Sequence, residues 1–410
     1  MDGIEYDPLS PPALSDPLPL YQALRENFRA YPLPQYNGWA LPRFDDVWTV
    51  GEDQDRFSII DGPVFEPSSL CDHYQGAPPE PPADVAGSFG TLDPPLQTEL
   101  RQAIGPRLRP NAVASLGREL TATARRLVDR VASGGSFDVC SDYAGPISGL
   151  VMCRLVGLPE KDAARLVPLV NVSMSRTPPG SARDSLPART ELVSMMMDVI
   201  STRRGREPDP HFQMVDDLLA ATIGGRPLTD LEVATQLMTI VSGGAETVPK
   251  VVAALVFELW NQPDQRVEIL ADLNANCAPA YEEMLRYGAP LQYVGRTLKV
   301  DSEVAGTAMR AGQRLFLLLA SANRDEREFA DPDTFRWDRR PPRHLAFGHG
   351  VHFCIGVHLA RLEGVILLRE FLARVPDYEV ELDSICRPPS DFQIGFTRMP
   401  VTVKERPWKR

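Results

Sequence analysis

His344-Leu-Ala-Phe-Gly-His-Gly-Val-His-Phe-Cys-Ile-Gly-Val-His-Leu-Ala-Arg-Leu-Glu363 decides how the rest of the chain is read, and its centre is Cys354. Glycine tolerates left-handed turns and has no side chain to collide with. A loop carrying Gly348, Gly350 and Gly356 can therefore bring its backbone close to a flat partner and present the Cys354 sulfur to a metal. Beyond Gly356, the residues Leu359, Leu362, Val365, Leu367, Leu368, Phe371 and Leu372 fall at helical spacing and predict a helix over 357–373. Cys354 then stands at a helix N-terminus, where free N–H groups and the helix dipole favour thiolate over thiol.

Four of the six histidines, His344, His349, His352 and His358, surround this cysteine, so zinc is weighed first. Structural zinc wants paired ligands such as Cys-x-x-Cys, and this stretch offers a single cysteine. The Cys-x-x-Cys-His signature of covalently attached haem is missing as well. A buried, inert thiol is the commonest fate of a free cysteine, and the glycine spacing argues against it. The pattern Phe347-Gly348-x-Gly350-x-His352-x-Cys354-x-Gly356 resembles the haem-thiolate loop of the cytochrome P-450 family. That resemblance implies haem b (iron protoporphyrin IX) with Cys354 as the proximal metal ligand and Phe347, Gly348 and Gly356 as cofactor-binding neighbours. Thiolate ligation in this family donates electron density that favours O–O cleavage.

At 410 residues, 43% hydrophobic and 24% charged, the chain has the composition of a globular protein able to bury a sizeable core. A net charge of −12 without a basic tract speaks against nucleic acid as a partner. Cys71, Cys140, Cys153, Cys277, Cys354 and Cys386 follow no disulfide spacing, which suits reduced thiols. Residues 1–20 are acidic and proline-rich and lack the basic and apolar regions of a signal peptide. No run approaches the ~18 apolar residues of a membrane span. The expectation is a cytoplasmic protein with no membrane anchor.

Helical spacing recurs over residues 96–104, 111–132, 143–156, 160–172, 188–204 and 214–221. Residues 61–95 are rich in proline and glycine without a period, a long connection of the kind that faces a substrate or covers a surface. Trp39-Ala-Leu-Pro-Arg43 followed by 46–50 predicts a strand and then a helix, part of a smaller β region. Residues 176–187, with Thr-Pro-Pro-Gly, predict a non-helical separator. The longest helix is expected over 229–260, with Thr229 and Glu232 forming a capping box at its start and Pro263 past its end. Inside it, Gly243 and Gly244 each cost about 1 kcal/mol and Pro249 about 3 kcal/mol relative to alanine. Pro249 also has no N–H for the carbonyl of Ala245, so the helix should open beside Glu246 and Thr247. Small residues at a close helix crossing would explain the glycines as well as a ligand groove does. With Cys354 in the same chain, Gly-Gly-Ala-Glu-Thr resembles the family's oxygen-binding groove. This implies cofactor contacts from Gly243 and Gly244 and a proton relay through the catalytic residues Glu246 and Thr247.

Asp93-Pro-Pro-Leu-Gln97-Thr-Glu-Leu-Arg101 resembles the start of the family's C helix, which implies haem-propionate contacts from Gln97 and Arg101. Most members carry histidine where Gln97 stands. Arg296 and His352 fall where the family places its other propionate ligands. Glu283-x-x-Arg286, followed by Arg339 in Phe335-Arg-Trp-Asp-Arg339, resembles the family's structural salt-bridge network. The likeness is nearly continuous from Asp93 to about Met399, and is greatest to soluble bacterial members such as camphor hydroxylase. It implies a mainly α fold with a smaller β region, the haem lying between the long central helix and the Cys354 loop. It also implies a single haem domain over 1–410, whose 1–60 and 295–345 portions include the β-rich part.

The implied function is a haem-thiolate monooxygenase that hydroxylates a small to medium apolar molecule such as a terpenoid. O2 is the co-substrate, and electrons come from a separate ferredoxin and ferredoxin reductase fed by NAD(P)H, because no flavin or iron–sulfur segment is seen. The ferredoxin is expected behind Cys354, near Arg101, Arg107, Arg109 and Arg361. A peroxygenase and a non-enzymatic haem-based sensor are the alternatives, and Glu246 with Thr247 speaks for the monooxygenase. The implied substrate-pocket positions are Val85, Phe89, Thr239, Ile240, Gly243, Gly244, Tyr293, Val294, Ile394 and Phe396.

Overall fold

Short strands from distant parts of the chain meet in one sheet. The computed structural model describes residues 4–65, 87–174, 182–388 and 390–404. β1 (Tyr31–Leu33), β2 (Gly38–Leu41) and β3 (Phe57–Ser58) come early, and β4 is Ser136–Asp138. β5 (Val294–Leu298) and β6 (Arg314–Leu317) follow the helical body, with β7 (Tyr378–Val380) and β8 (Pro400–Val403) near the C-terminus. The larger sheet runs β1-β2-β6-β5-β3, and β7-β8-β4 form a second. β6 pairs in parallel with β2, Leu315 opposite Trp39, and antiparallel with β5, Leu315 opposite Arg296. This register fixes where Arg296 sits. Leu315, Phe316 and Leu317 are all buried, so β6 is covered on both faces, as its continuous apolar run requires.

The helices that shape the site are α1 (Phe44–Glu52), α2 (Leu96–Ile104), α3 (Pro110–Ala132), α4 (Gly145–Val156), α5 (Ala163–Met174) and α6 (Ala182–Arg203). They continue with α7 (Asp230–Ala245), α8 (Thr247–Asn261), α9 (Leu273–Gly288) and α10 (Val357–Arg374). α6 corrects the sequence reading: it begins at Ala182 and carries Pro187 inside it, so the expected non-helical separator is helical over its last residues. Pro187 is the sixth residue of this helix and so gives up one i→i−4 hydrogen bond, the cost that proline carries inside a helix.

The expected single helix over 229–260 is two helices. The capping box is present, the Thr229 hydroxyl accepting from the Glu232 N–H at 3.3 Å and a Glu232 carboxylate oxygen accepting from the Thr229 N–H at 2.7 Å. α7 stops at Ala245, and Glu246, at φ −120° and ψ −21°, separates it from α8. Pro249 is the cause. Having no N–H to offer Ala245, it ends one helix and falls in the first turn of the next, where proline costs little. Residues 230–261 taken together are long and apolar enough to cross a membrane, yet 67% of their most apolar window is buried inside the fold. α10 lies against α3, α8 and α9, with Leu367, Leu368, Phe371 and Leu372 fully buried. Each such side chain contributes about 1.5–3 kcal/mol, which holds the helix behind Cys354 in place.

Candidate active site

A cavity of about 560 Å³ lies between the α7–α8 break and the loop carrying Cys354. The loop is shaped by glycine. Gly348 and Gly350 have φ of +68° and +73°, and a Cβ at Gly350 would come within 1.9 Å of the Gly51 carbonyl oxygen at the end of α1. The ring of His349 stacks on Trp48 of α1 at 3.4 Å between centroids, and its Nε2 lies 2.8 Å from Glu52. The Cys354 N–H donates to the Phe347 carbonyl at 2.9 Å. α10 starts at Val357, so the sulfur stands just before the helix and not in its first turn. Burial pushes the Cys354 thiol up, while the Gly356 N–H and the Arg101 and Arg361 guanidiniums pull it down. A bound metal would deprotonate it outright.

Cationic groups collect at one edge of the cavity. Arg296 reaches it from β5, Arg101 from α2, and His352 from the loop. Burial lowers Arg296 to about 10 despite the help of Asp93. His352 is pushed down to about 3 by burial first, then by Arg296 and Arg101. Arg101 donates to the Phe353 carbonyl at 2.8 Å and Arg296 to its neighbour Gly295 at 2.8 Å, and neither has a carboxylate within ion-pair distance among the described residues. The buried His352 Nδ1 has no partner. A buried guanidinium such as that of Arg296, with the half-buried Arg101 beside it, calls for an anion. The two carboxylates of haem b would satisfy this set, and Cys354 lines the same cavity, so the residues fit that group. Such a donor set makes the chain a haem-dependent oxidoreductase.

Gln97 does not join that edge. Its amide donates to the Val351 carbonyl at 2.7 Å, buried and behind the cavity wall, where it braces the loop. The Glu283 carboxylate binds Arg286 at 2.7 and 2.8 Å and Arg339 at 2.9 Å, with Glu283 and Arg286 fully buried and Arg339 at the margin. Arg286 also donates to the carbonyls of Asn323 and Pro332. These three residues meet as the sequence implied, away from the cavity. Of the arginines expected to receive a ferredoxin, Arg107 is bound to Asp217 and Arg361 to Glu282.

On the opposite wall the two glycines separate. A Cβ at Gly244 would come within 2.4 Å of the Met152 sulfur on α4, whereas one at Gly243 meets nothing within 4 Å. Gly244 serves a helix crossing and Gly243 opens into the cavity, so both readings of the glycines hold, one for each residue. The Thr247 hydroxyl donates to the Gly243 carbonyl at 2.8 Å. The Glu246 carboxylate turns the other way, 2.8 Å from the Lys250 ammonium and accepting from the Gln393 amide. Lys250 also reaches Asn171 of α5 at 3.2 Å.

Phe89, Thr239, Ile240, Gly243, Gly244 and Val294 line the cavity, together with Phe347, Gly348 and Gly356. Tyr293, Ile394 and Phe396 do not. The Tyr293 hydroxyl donates to Asp391 at 3.0 Å, and Phe396 packs on Phe257 of α8. Phe392 and Gln393 take their place, because Ile394 and Phe396 point into the hydrophobic core. Val85 lies outside the described residues. Sequence reading missed Met152, Leu155, Met174 and Met238, whose helical spacing is indistinguishable from that of core positions.

The family model described as cytochrome P-450 matches residues 280–404. The cytochrome P-450 123 of Mycobacterium tuberculosis is 32% identical over 399 residues, 95% of each chain. The methyl-branched lipid omega-hydroxylase of the same organism is 31% identical over 372 residues, 89% of this chain and 83% of its own. Among solved structures, the bacillaene polyketide synthase cytochrome P-450 PksS of Bacillus subtilis aligns with a TM-score of 0.84 at 25% identity, over 98% of this chain and 100% of the other. The chain belongs to the cytochrome P-450 family. It is a monooxygenase that binds haem b and uses O2 with electrons from a redox partner.

Proposed function

We propose that the whole chain, 1–410, acts as one cytoplasmic haem domain that hydroxylates a branched aliphatic molecule of small to medium size, with a ferredoxin and its NAD(P)H-fed reductase supplying electrons. The observation that carries the site is the convergence of Cys354 with Arg101, Arg296 and His352 on one cavity whose far wall is the α7–α8 break. Haem b held there, with Cys354 as its ligand and the two arginines and His352 on its propionates, supplies the activation of O2. The substrate wall is apolar, built from Phe89, Leu155, Met238, Ile240 and Leu291. A terpenoid and a methyl-branched lipid share branched aliphatic chemistry, and the likeness to the methyl-branched lipid omega-hydroxylase supports that class.

The chain's own groups handle protons and water. Thr247 Oγ1, beside the open face of Gly243, exchanges its bond to the Gly243 carbonyl for a bond into the groove. Glu246 supplies protons from the break by swinging away from Lys250 and Gln393, which otherwise occupy its carboxylate. The apolar lining excludes bulk water, so protons enter by this route.

Two variants test the assignment. The dithionite-reduced, CO-treated holoprotein should show the strongly red-shifted Soret band of thiolate ligation and lose it in Cys354→Ala. Retention of the band in the variant sinks the ligand assignment. Thr247→Ala should divert NAD(P)H electrons to hydrogen peroxide with about 10²-fold less product. Unchanged coupling would favour a peroxygenase or a sensor.

A further inference from the structure

The face of α10 that lines the cavity reads Gly356, Leu359, Ala360 and Glu363, so a carboxylic acid continues an otherwise apolar stripe at helical spacing. Glu363 is fully buried, and the Ser148 hydroxyl of α4 donates to it. No arginine or lysine lies within ion-pair distance of it among the described residues. From α9 it is faced by Tyr281, whose hydroxyl is buried without a hydrogen-bond partner and feels the Glu363 charge. Glu282 and Arg361, beyond Tyr281, are bound to each other. α3 and α8 present no charged group that acts on it.

An electron added to a low-dielectric cavity raises the proton affinity of every ionisable group around it. Most groups here cannot respond. The arginines Arg101, Arg189 and Arg296 keep their protons, and Glu246 is held by Lys250. His352 is driven neutral by burial and by two guanidiniums, and the Tyr281 hydroxyl stays protonated. Of the two carboxylic acids that line the cavity, Glu363 alone has no cation within ion-pair distance among the described residues.

We propose that Glu363 is the proton-accepting group coupled to reduction of this enzyme: as one electron enters the haem from the redox partner, the Glu363 carboxylate takes one proton from solvent to become the carboxylic acid. The step balances charge within the cavity, one electron and one proton entering together. It rests on the haem reading above. Burial pushes the Glu363 carboxyl up to about 7, which places the exchange at neutral pH.

Potentiometric titration of the holoenzyme across pH 6–8.5 tests it. The wild-type midpoint should fall as pH rises, with a slope approaching 59 mV per pH unit, the one-electron equivalent of a tenfold change in equilibrium constant. Glu363→Gln should flatten that slope. An equal slope in both proteins overturns the assignment. Reduced-minus-oxidised infrared difference spectra of the wild type provide a second measurement that needs no variant. A buried carboxylic-acid carbonyl band should grow on reduction at pH above 7, and its absence there overturns the proposal. The CO spectrum separates the two levels: a thiolate band with a flat potential refutes Glu363 alone, and loss of that band refutes the haem reading itself.

Discussion

Two carboxylic acids line the same cavity, and burial treats them alike: Glu246 is 2% exposed and Glu363 is 1% exposed. Their partners differ. Both oxygens of Glu246 are taken, one by the Lys250 ammonium and one by the Gln393 amide, while among the described residues Glu363 has only the Ser148 hydroxyl. Desolvation disfavours the charged form at both. Only at the α7–α8 break is that penalty offset by a cation, which the i, i+4 spacing of Glu246 and Lys250 supplies from within one turn. The partner, not the depth, sets the charge of each acid. At rest the break thus holds an ion pair, and α10 holds an acid with no cation beside it among the described residues.

Removing the cation should make the first acid resemble the second. In Lys250→Met, Glu246 keeps Gln393 but loses its countercharge, and breaking a buried pair this way costs about 3–5 kcal/mol. Urea unfolding of the holoprotein would read the loss, and a loss below about 1 kcal/mol, the worth of an exposed pair, would show that the ion pair does not hold the break. A Glu246→Gln change added to Lys250→Met should recover much of it, because no buried charge is then left unpaired.

The second acid gives the next effect. Its carboxyl is raised from an ordinary 4.5 to about 7 in the fold, so the folded protein binds that proton more tightly than the unfolded chain does. Stability from this group is therefore fully present below pH 4.5, declines as pH rises towards 7, and has no further to fall above it. At about 1.4 kcal/mol per pH unit the decline amounts to roughly 3 kcal/mol. Glu363→Gln should abolish it. Subtracting the variant's unfolding free energy from that of the wild type should give a line that falls through this window and then levels. A flat difference would mean that Glu363 is charged in the fold as well.

Sequence reading reached these two acids unequally. Glu246 was legible because two glycines and a proline in one helix incur a cost that needs a reason, and the break they produce is where the acid stands. Glu363 belongs to the quoted loop-and-helix stretch, yet one glutamate on a helix reads as solvated until the packing of α4 and α9 against that face is known. Gly364 shows why: a Cβ there would come within 2.0 Å of Tyr281, so the helices meet too closely for solvent, and no periodicity announces it. The Glu283, Arg286 and Arg339 cluster was readable only through the family resemblance, since Glu-x-x-Arg spacing by itself is common on exposed helices. The C-terminal pocket wall was not. Ile394 and Phe396 have the apolar character expected of a lining, but the chain turns so that Phe392 and Gln393 face the cavity.

Ser148→Ala gives the smallest effect and the finest test of the comparison. The hydroxyl donates to the Glu363 carboxylate and so favours its charged form, opposing burial. Without it the carboxylic acid is favoured further, and the pH at which stability levels off should move upward from about 7. One hydrogen bond to a buried charge is worth about 1.5–3 kcal/mol when the group is ionised, and a neutral one nearer 1 kcal/mol. The variant should therefore lose more stability at pH 8 than at pH 5, and less in all than Lys250→Met. A downward shift of the levelling point would mean that Ser148 accepts from a protonated Glu363 instead of donating to it.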